Sequence, residues 1–218
     1  AAGTSASTNA DGQFTLERVE PDANIVLTYT ADGYATTYSR VAVLGWETAT
    51  TEARMLEVDG VFEIEANQGG TIEVETPSGR VAVTFQGGSF EDAEGDTVFG
   101  SVIGALTFLD PSSEEFLAGP GDLRGESTDD VQLMVSFGMV EVTLTEPDGS
   151  PVQLADGLPA TVEMPVIDED KPDYLQMEVG DTQRIWSFDS DNALWLEEGT
   201  GTVFADDIGE RHIRFDAP

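Results

Sequence analysis

Carboxylates spaced one to three residues apart are the side chains of this sequence best suited to chemistry. Asp168, Asp170 and Asp173 lie in one acidic stretch, and Asp189 and Asp191 flank a turn between two tryptophan-bearing segments. Calcium takes six to eight oxygen ligands, often several carboxylates from one loop, so these five residues are candidate calcium ligands. No segment matches an EF-hand loop, and the alternative is that these acids are solvated turn residues.

The charge of the chain excludes one class of partner. Its 218 residues include 43 Asp and Glu but 9 Lys and Arg, which gives a net charge of −34 at pH 7. Phosphate binding needs clustered basic side chains, so no nucleic-acid partner is expected. Two interpretations of the acidic surface stay open. It is adapted to a medium of high salt, where charge repulsion is screened within about 3 Å, or it binds divalent cations.

The residue types that are rare or missing argue against an enzyme. Cysteine is absent, which excludes a disulfide scaffold, a cysteine nucleophile and a cysteine-ligated metal site. A catalytic triad could use only His212, the single histidine. A glycosidase-like carboxylate pair would arise by chance among so many acids. We therefore predict no catalytic residues and no required cofactor, and the absence of free thiols favours an extracellular or cell-surface location.

Aromatic residues offer a second kind of binding site. Trp46, Trp186, Trp195, Tyr38 and Phe188 could form a platform on which sugar rings stack, or they could pack in a core. Trp186 and Phe188 are two residues apart, so in a strand they share one face, which favours the core. Trp46 is close to an expected domain junction and is the better interface candidate.

Alternating polar and apolar residues predict β-strands along the whole chain. Turn signals such as Asp11-Gly12 and Asp148-Gly149 separate the short runs, and no segment shows a long helical period. One helical turn is expected at 111–116. The predicted strands are 24–30, 39–44, 61–65, 71–75, 81–85, 98–109, 131–135, 140–145, 160–164, 175–179, 182–188, 193–197 and 211–215. The fold class is all-β, and no apolar run is long enough to span a membrane.

A change of strand length near residues 57–60 predicts two β-sandwich domains in tandem, of the immunoglobulin or transthyretin type. The first covers 1–57, and the second and larger covers 58–218. Residues 8–16, TNADGQFTL, resemble the T-x-x-D-G-x-F-x-L turn of carboxypeptidase regulatory-like domains, and 32–34, DGY, resembles a later turn of that family.

This resemblance implies a transthyretin-like sandwich that serves as a structural or binding module. Family members begin with two strands that would precede residue 1, so residues 1–57 should not close a sandwich alone. The side chains expected to alternate inward, and to meet a strand from elsewhere, are Phe14, Leu16, Ile25 and Leu27.

The remainder of the chain resembles β-sandwich domains of the cartilage-intermediate-layer type. The similar segments are 136–142, SFGMVEV, and the hairpin formed by 185–189, IWSFD, and 194–199, LWLEEG. Some related sandwiches cleave themselves at a histidine followed two residues later by a hydroxyl nucleophile. Here His212 is followed by Ile213 and Arg214, so cleavage is not expected.

Together these features predict a non-enzymatic extracellular structural protein. It would be a cell-surface, adhesion or filament subunit that associates with itself or with other surface proteins through sandwich edges. The alternative is a binding module of a larger secreted protein, which recognises polysaccharide or acts in a calcium-dependent way.

Overall fold

The computed structural model describes residues 3–121, 123–126 and 131–218, and within them the fold is all-β. Two short 3-10 helices, Glu114–Ala118 and Asp173–Leu175, interrupt the strands. The strands are β1 Asp22–Tyr29, β2 Thr37–Val43, β3 Gly60–Glu65, β4 Gly69–Thr76, β5 Gly79–Gln86, β6 Phe90–Asp92, β7 Ser101–Leu109, β8 Arg124–Glu126, β9 Val131–Leu133, β10 Met139–Thr145, β11 Val152–Leu154, β12 Ala160–Pro165, β13 Thr182–Asp189, β14 Leu194–Ala205 and β15 Arg211–Ala217.

The alternation in the sequence explains why these strands form. In β4, Ile72 and Val74 are buried, whereas Thr71, Glu73 and Glu75, which alternate with them, are exposed. Successive side chains of a strand point to opposite faces, so this pattern gives one apolar face and one wet face. The predicted all-β class is confirmed.

Most strands belong to two sheets. The larger runs in the order β4-β5-β12-β15-β14, with β13 on one side of β14 and the short strands β8 and β9 on the other. The smaller has the order β10-β7-β3, and its neighbouring strands are antiparallel. Short pairs, β1 with β2 and β6 with β11, complete the described structure.

One apolar core lies between the larger and the smaller sheet, which is consistent with a β-sandwich. Burial of one large apolar side chain in this core stabilises the folded state by about 1.5–3 kcal/mol. On β10, the side chains of Val140, Val142 and Leu144 pack against this core but are only partly buried. The fully buried members with the largest side chains are Phe90, Ile72, Leu106, Ile213, Val81, Val83, Val102 and Val203.

One predicted strand is wrong. Residues 175–179 alternate like a strand, but the chain there leaves the helix Asp173–Leu175 and continues without a strand partner. The backbone of Met177 forms hydrogen bonds with side chains instead of with another strand. Its N–H donates to Asp168, and its carbonyl accepts from Arg211. The helical turn expected at 111–116 forms slightly later, at Glu114–Ala118.

The first predicted domain contributes only β1 and β2 to the described fold. No residue between 3 and 34 is buried, and Ala35 is the first that is. The hairpin is attached to the remainder of the chain by hydrogen bonds, such as that from Thr37 Oγ1 to the carbonyl of Ala118 at 2.9 Å. Arg40 likewise donates to the carbonyl of Ala193 at 3.0 Å. The division into domains remains a prediction.

No helix in the described part of the chain has the length and apolarity needed to cross a membrane.

Candidate functional site

A cleft lies beside the free edge of β10. This strand pairs with β7 and, among the described residues, has no other partner except a bridge from Thr145 to Pro151 at its end. A cleft of about 810 Å³ opens between β10 and strands β13 and β15 of the larger sheet. Its apolar lining includes Val142, Ile185 and Phe215. An apolar groove beside an unpaired strand is the arrangement that accepts an extended peptide.

An aromatic cluster forms one part of the lining. The ring of Phe188 lies between those of Tyr38 and Trp195, with centroid distances of 5.4 Å and 5.3 Å. The predicted sugar platform is therefore not a row of exposed rings: Trp195 is buried, and Trp186 and Phe188 are half-buried. Contacts between the rings account for part of this burial, as between Phe188 and Trp195.

Trp195 nevertheless carries an unused polar group. Its indole nitrogen Nε1 is buried and has no hydrogen-bond partner in the described part of the chain. A buried indole N–H usually finds an acceptor, because leaving the donor unpaired costs about 1–3 kcal/mol. The residue is also one of those that line the cleft.

A titratable group lies where the hairpin meets β10. Glu141 is on the opposite face of β10 from Val140 and Val142, and its Oε1 accepts a hydrogen bond from the backbone N–H of Thr36 at 3.0 Å. Burial raises the pKa of Glu141 to about 7, although the bond from Thr36 opposes this rise. Burial also raises the pKa of Tyr38, and the nearby Glu141 carboxylate adds to that effect.

Asp168, one of the predicted calcium ligands, is in a different environment from the one expected. It is 0% exposed, and its Oδ1 lies 2.8 Å from Nη2 of Arg211. Its Oδ2 accepts from Nη1 of Arg211 at 3.0 Å and from the backbone N–H of Met177 at 2.7 Å. The expectation of a solvated loop acid is corrected: both oxygens bind the half-buried guanidinium of Arg211, because a fully buried carboxylate needs a counter-charge.

The other predicted calcium ligands do not converge with it. Asp170, Asp173 and Asp191 are exposed. Asp189 closes its turn by accepting from Asn192 Nδ2 at 2.7 Å, and this side-chain hydrogen bond lowers the pKa of Asp189. In the described residues, none of the five belongs to a group of three ligand atoms close enough to share one cation. Calcium at these acids remains a prediction.

The predicted interface residues lie at the surface of the N-terminal hairpin. Trp46 is fully exposed, and its backbone has a φ of 68°, which is uncommon outside glycine. The ring of Phe14 packs edge-on against Tyr29 at 5.8 Å. The half-buried members of the set are Phe14, Leu16, Ile25 and Leu27. Their role as an interface remains a prediction.

Sequence reasoning missed a group in the turn between β14 and β15. The ligand atoms of Asp206, Glu210 and His212 lie within 4.8 Å of one another. The signal was the single histidine preceded by acids at positions two and six residues earlier. Arg214, which follows His212 by two residues, pairs with Glu163 at 2.6 Å.

Comparison of the chain with protein-family models, with curated proteins and with solved structures finds no match. Both family resemblances therefore remain predictions.

Proposed function

We propose that this chain is a non-enzymatic structural subunit of the extracellular space or cell surface, and that it assembles by strand complementation. The observation that supports the proposal best is the free edge of β10 beside an apolar cleft. An added strand there would gain main-chain hydrogen bonds from β10, and every second side chain would enter the cleft.

The donor in this proposal is the segment 13–19 of a second copy. Phe14 and Leu16 are half-buried, whereas Thr15 between them and Glu17 after them are exposed. This alternation is typical of a strand, yet the segment pairs with no strand in the described structure. Donor and acceptor are different surfaces, so each copy can give one strand and receive another. Such a head-to-tail contact produces rings or filaments.

The net charge of the chain should make assembly depend on ionic strength. With a net charge of −34, copies repel one another at low ionic strength. Molar salt shortens the Debye length to about 3 Å and removes most of this repulsion. We therefore expect association to increase with salt.

Two measurements on the full chain test the proposal. Light scattering should show larger species in molar salt than in low salt. The chain has no cysteine, so Thr15→Cys and Thr143→Cys variants can be mixed under oxidising conditions. Thr143 is exposed on β10, and a mixed disulfide forms only when the Cα atoms approach within about 7 Å. We expect the mixed dimer from this pair.

The matched control replaces Thr143→Cys by Ala93→Cys, an exposed turn position. Equal cross-linking by the control, or a monomer in every salt concentration, would overturn assembly through β10. A monomer that binds polysaccharide, or binds a partner only with calcium, would instead support the alternative of a binding module.

A further inference from the structure

We propose that Asp206, Glu210 and His212 form a binding site for a divalent first-row transition metal ion of the Zn²⁺ type. The site lies in the turn that joins β14 to β15, on the larger sheet. It is independent of the proposed assembly, because none of its residues borders the β10 cleft.

The turn itself places the three side chains together. The backbone N–H of Asp206 donates to the carbonyl of Glu210 at 2.9 Å, which closes the hairpin. His212 lies two residues after Glu210, at the second position of β15, where Phe204 is its register partner. All three ligand atoms lie within 4.8 Å of one another.

One carboxylate oxygen of Asp206 accepts hydrogen bonds from the backbone of the turn. Its Oδ1 accepts from the backbone N–H groups of Ile208 at 3.0 Å and Glu210 at 2.8 Å. Its Oδ2 is directed toward His212 and lies 3.4 Å from Nε2. Two atoms that bind one tetrahedral Zn²⁺ at about 2.1 Å are separated by roughly 3.4 Å, so this pair already has the spacing of two ligands.

The imidazole supplies the independent evidence for a ligand. His212 is 3% exposed, and its Nε2 is buried without a hydrogen-bond partner in the described part of the chain. Buried polar atoms are nearly always paired, and an orphaned one requires an explanation. A buried nitrogen that lies 3.4 Å from a carboxylate oxygen and makes no hydrogen bond in the described part of the chain is placed to bind a metal.

The donor set selects the class of ion. One imidazole nitrogen and two carboxylate oxygens match the ligands of Zn²⁺, with a fourth position left for water. Calcium requires six to eight oxygens and gains little from an imidazole. The exposed Glu210 can close the remaining distance by a change of side-chain rotamer.

The experiment uses the full chain after EDTA treatment and dialysis, titrated with ZnCl₂ by calorimetry in excess Mg²⁺. The magnesium saturates non-specific binding by the 43 acidic residues. Because His212 is the only histidine, the imidazole nitrogen NMR signals of the chain belong to one residue. We expect one Zn²⁺ per chain and a shift of the Nε2 signal at the same stoichiometry.

Variants at the turn distinguish Zn²⁺ binding at this site from non-specific binding by the other acidic residues. Glu210→Gln should weaken Zn²⁺ binding by about 10-fold or more, whereas Asp207→Asn, an exposed acid of the same turn outside the group, should change it less than about 2-fold. An unchanged His212 signal, or equal effects of the two variants, would overturn the proposal. Failure here leaves the β10 cross-link unaffected, so the two proposals fail separately.

Discussion

Asp168 and Arg211 form a two-point ion pair with the carboxylate fully buried. The two contacts are 2.8 Å and 3.0 Å long, and they join residues 43 positions apart. Met177 completes the arrangement, since its N–H donates to Asp168 and its carbonyl accepts from Arg211. The pair therefore ties β15 to the segment that follows β12.

Removal of either charge should destabilise the fold strongly. We expect Arg211→Met to cost the most, because it leaves the fully buried Asp168 carboxylate without its counter-charge. Asp168→Asn should lower the free energy of unfolding by about 1–3 kcal/mol, because the guanidinium that it leaves unpaired is half-buried. An exposed ion pair would contribute about 0–1 kcal/mol. Urea denaturation of each variant and the unaltered protein at neutral pH measures the difference.

A double-mutant cycle isolates the pair itself. Arg211→Met should also destabilise, and the double variant should cost at least about 2 kcal/mol less than the sum of the two single changes. Additive costs, or a loss below about 1 kcal/mol for Asp168→Asn, would contradict a buried pair.

Glu141 should make stability depend on pH near neutrality. Its pKa is raised from 4.5 to about 7 in the folded state. Between these values the folded chain binds more protons than the unfolded chain, so stability is present below about pH 4.5 and is lost as the pH rises through about 7. The difference corresponds to at most about 3 kcal/mol.

Glu141→Gln keeps an oxygen that can accept from Thr36 but carries no charge. The variant should match the unaltered protein within about 1 kcal/mol at about pH 5, and exceed its stability by up to about 3 kcal/mol at about pH 8. Urea denaturation at both pH values measures this. Glu65→Gln, which removes an exposed carboxylate from β3, should give the same small effect at both. A Glu141→Gln advantage that does not vary with pH would refute the assignment.

The sheet strands were the most predictable part of the fold. Alternation predicts strands at 61–65 and 71–75, and the structure has strands at Gly60–Glu65 and Gly69–Thr76. Alternation records which side chains face the core, and this is a local property of a strand. The short strands Phe90–Asp92 and Val152–Leu154 span too few residues to show it.

The candidate sites could not be predicted in the same way, because they depend on contacts distant in sequence. Read locally, Asp168 belongs to a run of loop acids; its partner Arg211 comes from another strand. The cleft exists because β10 is an edge strand. That position follows from the order of the strands in the sheet, and the sequence of residues 139–145 does not indicate it. Only the Asp206, Glu210 and His212 group is local enough for sequence spacing to have revealed it.

Gly69, at the start of β4, and Gly88, just after β5, allow the cost of left-handed backbone to be measured apart from the cost of a steric clash. Gly69 and Gly88 have similar positive φ values, 69° and 78°. A Cβ on Gly69 would lie 2.3 Å from the carbonyl oxygen of Phe85, whereas a Cβ on Gly88 would meet nothing within 4 Å. Left-handed backbone alone costs an alanine about 1–2 kcal/mol.

Gly88→Ala should therefore lower the free energy of unfolding by about 1–2 kcal/mol, and Gly69→Ala by at least about 3 kcal/mol. The extra loss at Gly69 arises because the carbonyl of Phe85 belongs to the paired strand, so relief of the contact must separate β4 from β5. Urea denaturation of both variants measures the two costs, and Gly88→Ala serves as the control for strain. Equal costs would mean that β4 and β5 do not approach as closely at this position as the structure shows.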